Sequence, residues 1–174
     1  MIGRPWNDLK ASLNKSLGKI VASGQHHRVS IINFSWKTSI AYAEAPANEI
    51  SVDTLGFFWG STNFSRAFEA ASELIQKTKQ NDIALIFMTD GVADYPTNQL
   101  NAIKDYLASA SFLNLNIKFS FDAIGFNHDD KQHLTKGMLD NLVKDLGGKS
   151  YFASNETELT NTYTEILNKN LNSL

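Results

Sequence analysis

Ile83-Ala84-Leu85-Ile86-Phe87-Met88-Thr89-Asp90-Gly91 sets six consecutive apolar residues ahead of a polar turn. A half-solvated strand alternates apolar and polar side chains, whereas a strand covered on both faces reads as an unbroken apolar run. The stretch therefore predicts a central parallel strand with helices on either side. Upstream, Phe64, Phe68, Ala71, Leu74 and Ile75 recur at helical spacing, with lysines near the end of the run. Downstream, a loop through Gly91 and Pro96 leads to Leu100, Ile103 and Leu107 on one helical face. Residues 117–124 then predict another strand. Met138, Leu139, Leu142, Val143 and Leu146 predict a helix stopped by Gly147-Gly148. Tyr151-Phe152 predict a short strand. The last helix is expected to start near Asn155, with Glu158 completing a capping box.

The amino-terminal third continues the alternation. Pro5 suits a first helical turn, and Leu9, Leu13, Leu17, Ile20 and Val21 repeat at helical spacing up to Ser23-Gly24. Val29 to Phe34 predicts a buried strand, and Ile40 to Ala43 a shorter one, close enough for an antiparallel hairpin. The stretch from Glu44 to Gly60 is irregular and reads as a connection carrying at most a short strand near Ile50 to Val52. Strands separated by single helices point to an open α/β sheet, three layers deep in the order α/β/α, formed by residues 1–174 as a single domain.

Composition narrows the functions available. Apolar residues make up 43% of the 174 and charged residues 20%, the balance of a folded domain. A net charge of -2 offers no basic field for a nucleic-acid partner. The absence of Cys excludes disulfides, thiolate zinc sites and a cysteine nucleophile. No apolar run approaches the ~20 residues of a membrane span, and Met1 to Trp6 lack the apolar stretch of a signal peptide. The expectation is a cytoplasmic domain with no membrane partner.

Sites in an open α/β sheet form beyond the carboxyl ends of the strands. Two segments meet that description: Gly60-Ser61-Thr62-Asn63 and Thr89-Asp90-Gly91. Thr62 offers a hydroxyl and Asp90 a carboxylate, both hard oxygen ligands suited to Mg²⁺. A carboxylate closing an apolar strand also needs a partner. The plainer alternatives are that Ser61 or Thr62 caps the following helix and that Asp-Gly is an ordinary turn.

Four segments together resemble the von Willebrand factor type A family over nearly all of the chain. They are Gly60-Ser61-Thr62-Asn63, Ile86-Phe87-Met88-Thr89-Asp90-Gly91, Ala123-Ile124-Gly125-Phe126 and Leu146-Gly147-Gly148-Lys149-Ser150-Tyr151-Phe152. The resemblance implies a Rossmann-like sheet, mostly parallel with one antiparallel edge strand. It also implies a metal-ion-dependent adhesion site in which Thr62 and Asp90 hold a divalent cation completed by an acidic group of a protein partner. The family's Asp-x-Ser-x-Ser loop and the first, central strand before it have no counterpart here. Met1-Ile2-Gly3-Arg4-Pro5 reads as though the chain started at an internal Met of that loop. The expectation is an N-terminally truncated domain, with the missing strand falling between Val29–Phe34 and Ile83–Met88. A degenerate domain whose neighbouring strands close up, and a domain completed by a strand from another chain, are the alternatives. Two ligands fall short of the ~6 oxygens Mg²⁺ prefers, so its binding is expected to be weak or absent.

Other candidates carry less. His128, Asp129, Asp130 and His133 are spaced for a solvated turn rather than zinc. His26-His27-Arg28 reads as a turn. Asn33, Asn63 and Asn155 match the glycosylation pattern by chance. Trp6, Trp36 and Trp59 are expected to pack, although Phe57, Phe58 and Trp59 could rim a partner site if exposed. No nucleophile elbow, phosphate loop or dinucleotide fingerprint occurs. The expected function is a non-enzymatic protein-protein interaction module. A small metal-dependent α/β hydrolase using Asp90 and a non-metal structural domain of a longer protein are the alternatives. A deep apolar cleft beside Asp90 would favour the enzyme, and a shallow exposed position the binding module.

Overall fold

The computed structural model describes residues 4–58, 60–126 and 132–171. Its elements run α1 (Arg4–Ala22), β1 (Arg28–Phe34), β2 (Thr38–Pro46), α2 (Phe64–Lys77), β3 (Asp82–Thr89), α3 (Thr97–Phe112), β4 (Lys118–Phe126), α4 (Gln132–Leu146), β5 (Lys149–Ala153) and α5 (Glu156–Leu171). The connection from Ala47 to Gly60 holds short 3-10 turns at Ala47–Glu49 and Val52–Thr54, with no strand near Ile50 to Val52. Ala47 and Val52 are buried, but they reach the core from tight turns.

Period-two alternation in the strands decides which helices cover which face. Phe87, Phe121 and Ala123 point to one side, where Phe64 and Phe68 of α2, Leu100 and Ile103 of α3 and Leu139 and Leu142 of α4 meet them. Ile86, Met88, Ile124 and Phe126 point to the other, against Leu159, Tyr163 and Ile166 of α5. A third cluster joins Leu13, Leu17 and Ile20 of α1 to Val29, Ile31, Tyr42 and the 3-10 turns. Helices α1 and α5 lie together, tied by Ser12 Oγ and Thr160 Oγ1 at 3.0 Å and by Lys15 to Glu156 at 2.6 Å.

The expectation of one three-layer sheet with a mostly parallel order is overturned. Strands β1 and β2 form an antiparallel sheet of two, while β3, β4 and β5 form a separate parallel sheet of three. The physical reason is pairing. β1 exchanges its hydrogen bonds with β2 and β3 with β4, and no ladder joins β1 to β3. Nor do the two strands close up on each other. A cleft of about 1240 Å³ runs between them.

Candidate functional site

The cleft is bounded by every residue from Arg28 to Ser35 and by every residue from Asp82 to Asp90. Successive side chains of a strand point to opposite faces, so an unbroken series of residues lines a cavity only when the cavity runs along the strand's edge. The cleft therefore exposes two backbone edges. Ser30 in β1 and Ala84 in β3 are exposed for the same reason. Helix α2 closes one side through Phe68, Ala71 and Ile75, and α1 and α5 close the other through Leu13, Leu17 and Tyr163.

At the carboxyl ends of the strands, the two segments singled out in the sequence come together. A Cβ placed on Gly91 would lie 3.3 Å from Thr62 Oγ1, and Thr62 and Asp90 both border the cleft. Of the two plain alternatives, the helix cap is neither Ser61 nor Thr62, whereas the Asp-Gly turn is present. The cap of α2 is Asn63, whose Oδ1 accepts from Arg66 N at 3.0 Å, which leaves the Thr62 hydroxyl to the cleft mouth. The Asp-Gly turn is built by Thr89. Its Oγ1 accepts from Gly91 N and donates to Gly91 O, both at 3.1 Å.

The rim beside this turn is aromatic and cationic. Trp36 is 52% exposed, which corrects the expectation that it packs inside. Lys37 Nζ sits 5.5 Å from the Trp36 ring and 4.8 Å from that of Phe58, within reach of both ring faces. Arg66 Nη1 donates to the Trp36 carbonyl at 3.3 Å. Gly60 has φ +121° with its Cα turned to the Trp36 indole, and a side chain there would collide with that ring. Phe57 meets Trp6 edge-on at 5.5 Å. Trp59 lies outside the described residues.

The donor set does not suit a magnesium ion on its own. Thr62 and Asp90 contribute two side-chain oxygen groups, and among the described residues no three His, Cys, Asp or Glu side chains gather as a metal group. His128, Asp129, Asp130 and the side chain of His133 lie outside the described residues.

Sequence reasoning missed one charged feature altogether. Asp122, 1% exposed in the middle of β4, accepts from Lys169 Nζ of α5 at 3.1 Å through both carboxylate oxygens. A polar residue inside the apolar run Phe119 to Phe126 was the signal, and Lys169 itself borders the cleft. No helix among the described residues is long and apolar enough to cross a membrane.

No family model matches the chain, and no curated protein matches it in sequence. Among solved structures it is similar to the PilB minor pilin from Streptococcus sanguinis, with a TM-score of 0.67 at 14% identity over 94% of this chain. The chain spans about half, 53%, of that pilin chain. The likeness concerns the fold. The identification with the von Willebrand factor type A family is corrected by these findings, together with the description of Thr62 and Asp90 as a metal-ion-dependent adhesion site. The four motifs that suggested it are local devices, such as a Thr-built turn and a glycine helix end, which recur wherever a strand feeds a helix.

Proposed function

We propose that the chain is a non-enzymatic protein-binding module, with its contact surface at the carboxyl-end rim formed by Trp36, Lys37, Phe58, Thr62 and Asp90. The observation that carries this reading is the exposed Trp36 indole with a lysine held between it and Phe58. Exposed aromatic side chains beside a cation are the usual anchors of protein interfaces. Lys37 offers its charge to an acidic side chain of the partner. The fold likeness to a minor pilin supports a structural role in a filament or its assembly rather than turnover of a substrate.

A photo-crosslinking residue at position 36, introduced in the producing cells, tests the reading. The expected result is a discrete protein adduct that is lost with Lys37→Glu and absent when the probe stands at Phe112, an exposed position at the end of α3. Identical adducts from both positions would overturn it. An enzyme is the second reading, because the cleft beside Asp90 is deep and largely apolar. Hydrolysis of ester or phosphate substrates abolished by Asp90→Ala would favour that reading instead.

A further inference from the structure

We propose that the cleft between β1 and β3 receives one extended, apolar segment of a partner polypeptide, inserted as a strand between the two sheets. This deepens the reading as a protein-binding module by naming the form of the partner, and it rests on that reading.

The first argument is the shape of the walls. β1 presents to the cleft the edge not used by β2, and β3 the edge not used by β4. An edge strand offers a row of backbone donors and acceptors that only another extended backbone can satisfy along its length. Two such edges face one space, and Phe34 at the end of β1 stacks on Phe87 near the end of β3 at 5.4 Å, so their carboxyl ends lie together. A strand entering between them finds both neighbours running in one direction.

The second argument is size. A strand of eight residues at ~3.3 Å per residue, with ~4.8 Å between neighbours and a sheet layer ~10 Å thick, fills roughly 1,270 Å³. The cleft measures about 1240 Å³. The cleft has room for one strand of that length.

The third argument is chemistry. Phe68 and Ala71 on the α2 side and Leu13 and Leu17 on the α1 side make both floors apolar, so the occupant needs apolar side chains on both faces. The charges differ at the two ends. Arg28, Lys79 and Lys118 outnumber Glu44 and Asp82 near the amino ends of the strands, whereas at the carboxyl end Asp90 shares the rim with Lys37. Lys118 is paired with Asp82 at 3.6 Å and Lys169 with Asp122 at 3.1 Å, so Arg28 and Lys79 against Glu44 keep the amino end cationic. A parallel segment carrying an acidic residue before its apolar run complements the amino end, and the carboxyl rim, with both Asp90 and Lys37, accepts a charged residue after the run. Parallel insertion also continues the β3-β4-β5 order.

The test uses the full chain and a nine-residue probe peptide: Asp, seven alternating Val and Ile residues, then Lys. The expected result is micromolar binding with at least tenfold slower amide exchange in residues 29–34 and 83–88 together. Proline at the fourth apolar position removes a donor and is expected to abolish binding, as is Ala71→Phe, which fills the cleft from α2. Exchange slowed in one strand alone would mean edge capture and would overturn insertion. So would binding indifferent to the proline. A free protein that is already a dimer protecting both strands would identify a second copy as the occupant and overturn the proposal as well. A peptide that fails to bind while the position-36 adduct persists removes the strand insertion and leaves the binding module intact. Loss of both removes the two readings together.

Discussion

Asp122 is a carboxylate placed where water cannot reach it, and Lys169 is what makes that tolerable. Removing one partner of a fully buried pair costs about 3–5 kcal/mol because the other charge is left unmatched. Lys169 is half exposed, 48% by side chain, so water screens part of the interaction. We expect Lys169→Met to lower the unfolding free energy by about 2 kcal/mol, and Asp122→Asn with Lys169→Met to recover more than half of that loss. Urea unfolding of the three proteins measures both. Gly148 makes a different demand. A Cβ at this position would run into the Phe121 carbonyl, so the approach of β5 to β4 depends on a bare Cα. Gly148→Ala is expected to cost about 1–3 kcal/mol, the usual range for overpacking a filled interior, read as a fall in melting temperature.

Helix α5 shows how an element is anchored at its start. Asn155 Oδ1 accepts from Glu158 N at 3.0 Å, and the Glu158 carboxylate accepts from Ser154 N at 2.7 Å and from Ser154 Oγ at 2.8 Å. The capping box expected from the sequence forms, with its reciprocal bond reaching Ser154 rather than Asn155. The Ser154 backbone and hydroxyl bonds hold the Glu158 carboxyl below its ordinary range. The Tyr95 hydroxyl, donating at 2.6 Å, does the same for Asp145 at the end of α4, helped by Lys104. Burial and the Asp145 bond push the Tyr95 phenol well above its ordinary range. A carboxyl depressed in the folded state stabilises it above the unfolded pKa of roughly 4, and that contribution disappears as the pH falls through the folded value. Glu158→Gln is therefore expected to lower the urea midpoint at pH 7. The gap from the parent protein should close as the pH drops below about 4. A gap that stays constant with pH would show that Glu158 acts without its charge.

The molecule as a whole is two sheets joined through helices. Helix α2 packs on the β1-β2 hairpin as well as on α3, and α1 packs on α5. Phe34 is the strand residue that crosses the divide, stacked on Phe87 and edge-on to Phe64 at 6.3 Å. With no ladder between β1 and β3, the hairpin is expected to open at a lower free energy than β4. Truncating a buried Phe costs about 3–5 kcal/mol, and Phe34 is half-buried, so Phe34→Ala is expected to cost about 2 kcal/mol. Native-state amide exchange should show that loss concentrated in residues 28–46, with residues 118–126 little changed. Equal acceleration in both regions would mean that the two sheets unfold as one unit.

The order of helices and strands was legible from the chain because it follows from local rules. The 3.6-residue repeat of Leu9, Leu13 and Leu17, the apolar run from Ile83 to Met88 and the Asn155–Glu158 cap each depend on a few neighbouring residues. The meeting of the Thr62 and Asp90 loops was expected too, but β2 runs antiparallel to β1, and it is the irregular connection after Pro46 that brings Thr62 beside Gly91. Long-range choices were not legible. Whether β1 pairs with β3 depends on backbone edges brought together from opposite halves of the chain, and no local pattern encodes that distance. The exposure of Trp36 and the Asp122–Lys169 pair likewise join residues far apart in sequence. Family identity failed for a related reason, since short turn motifs report local geometry common to many α/β proteins. Local propensity settles the elements, whereas the split sheet, its cleft and its rim exist only once packing has decided which edges meet.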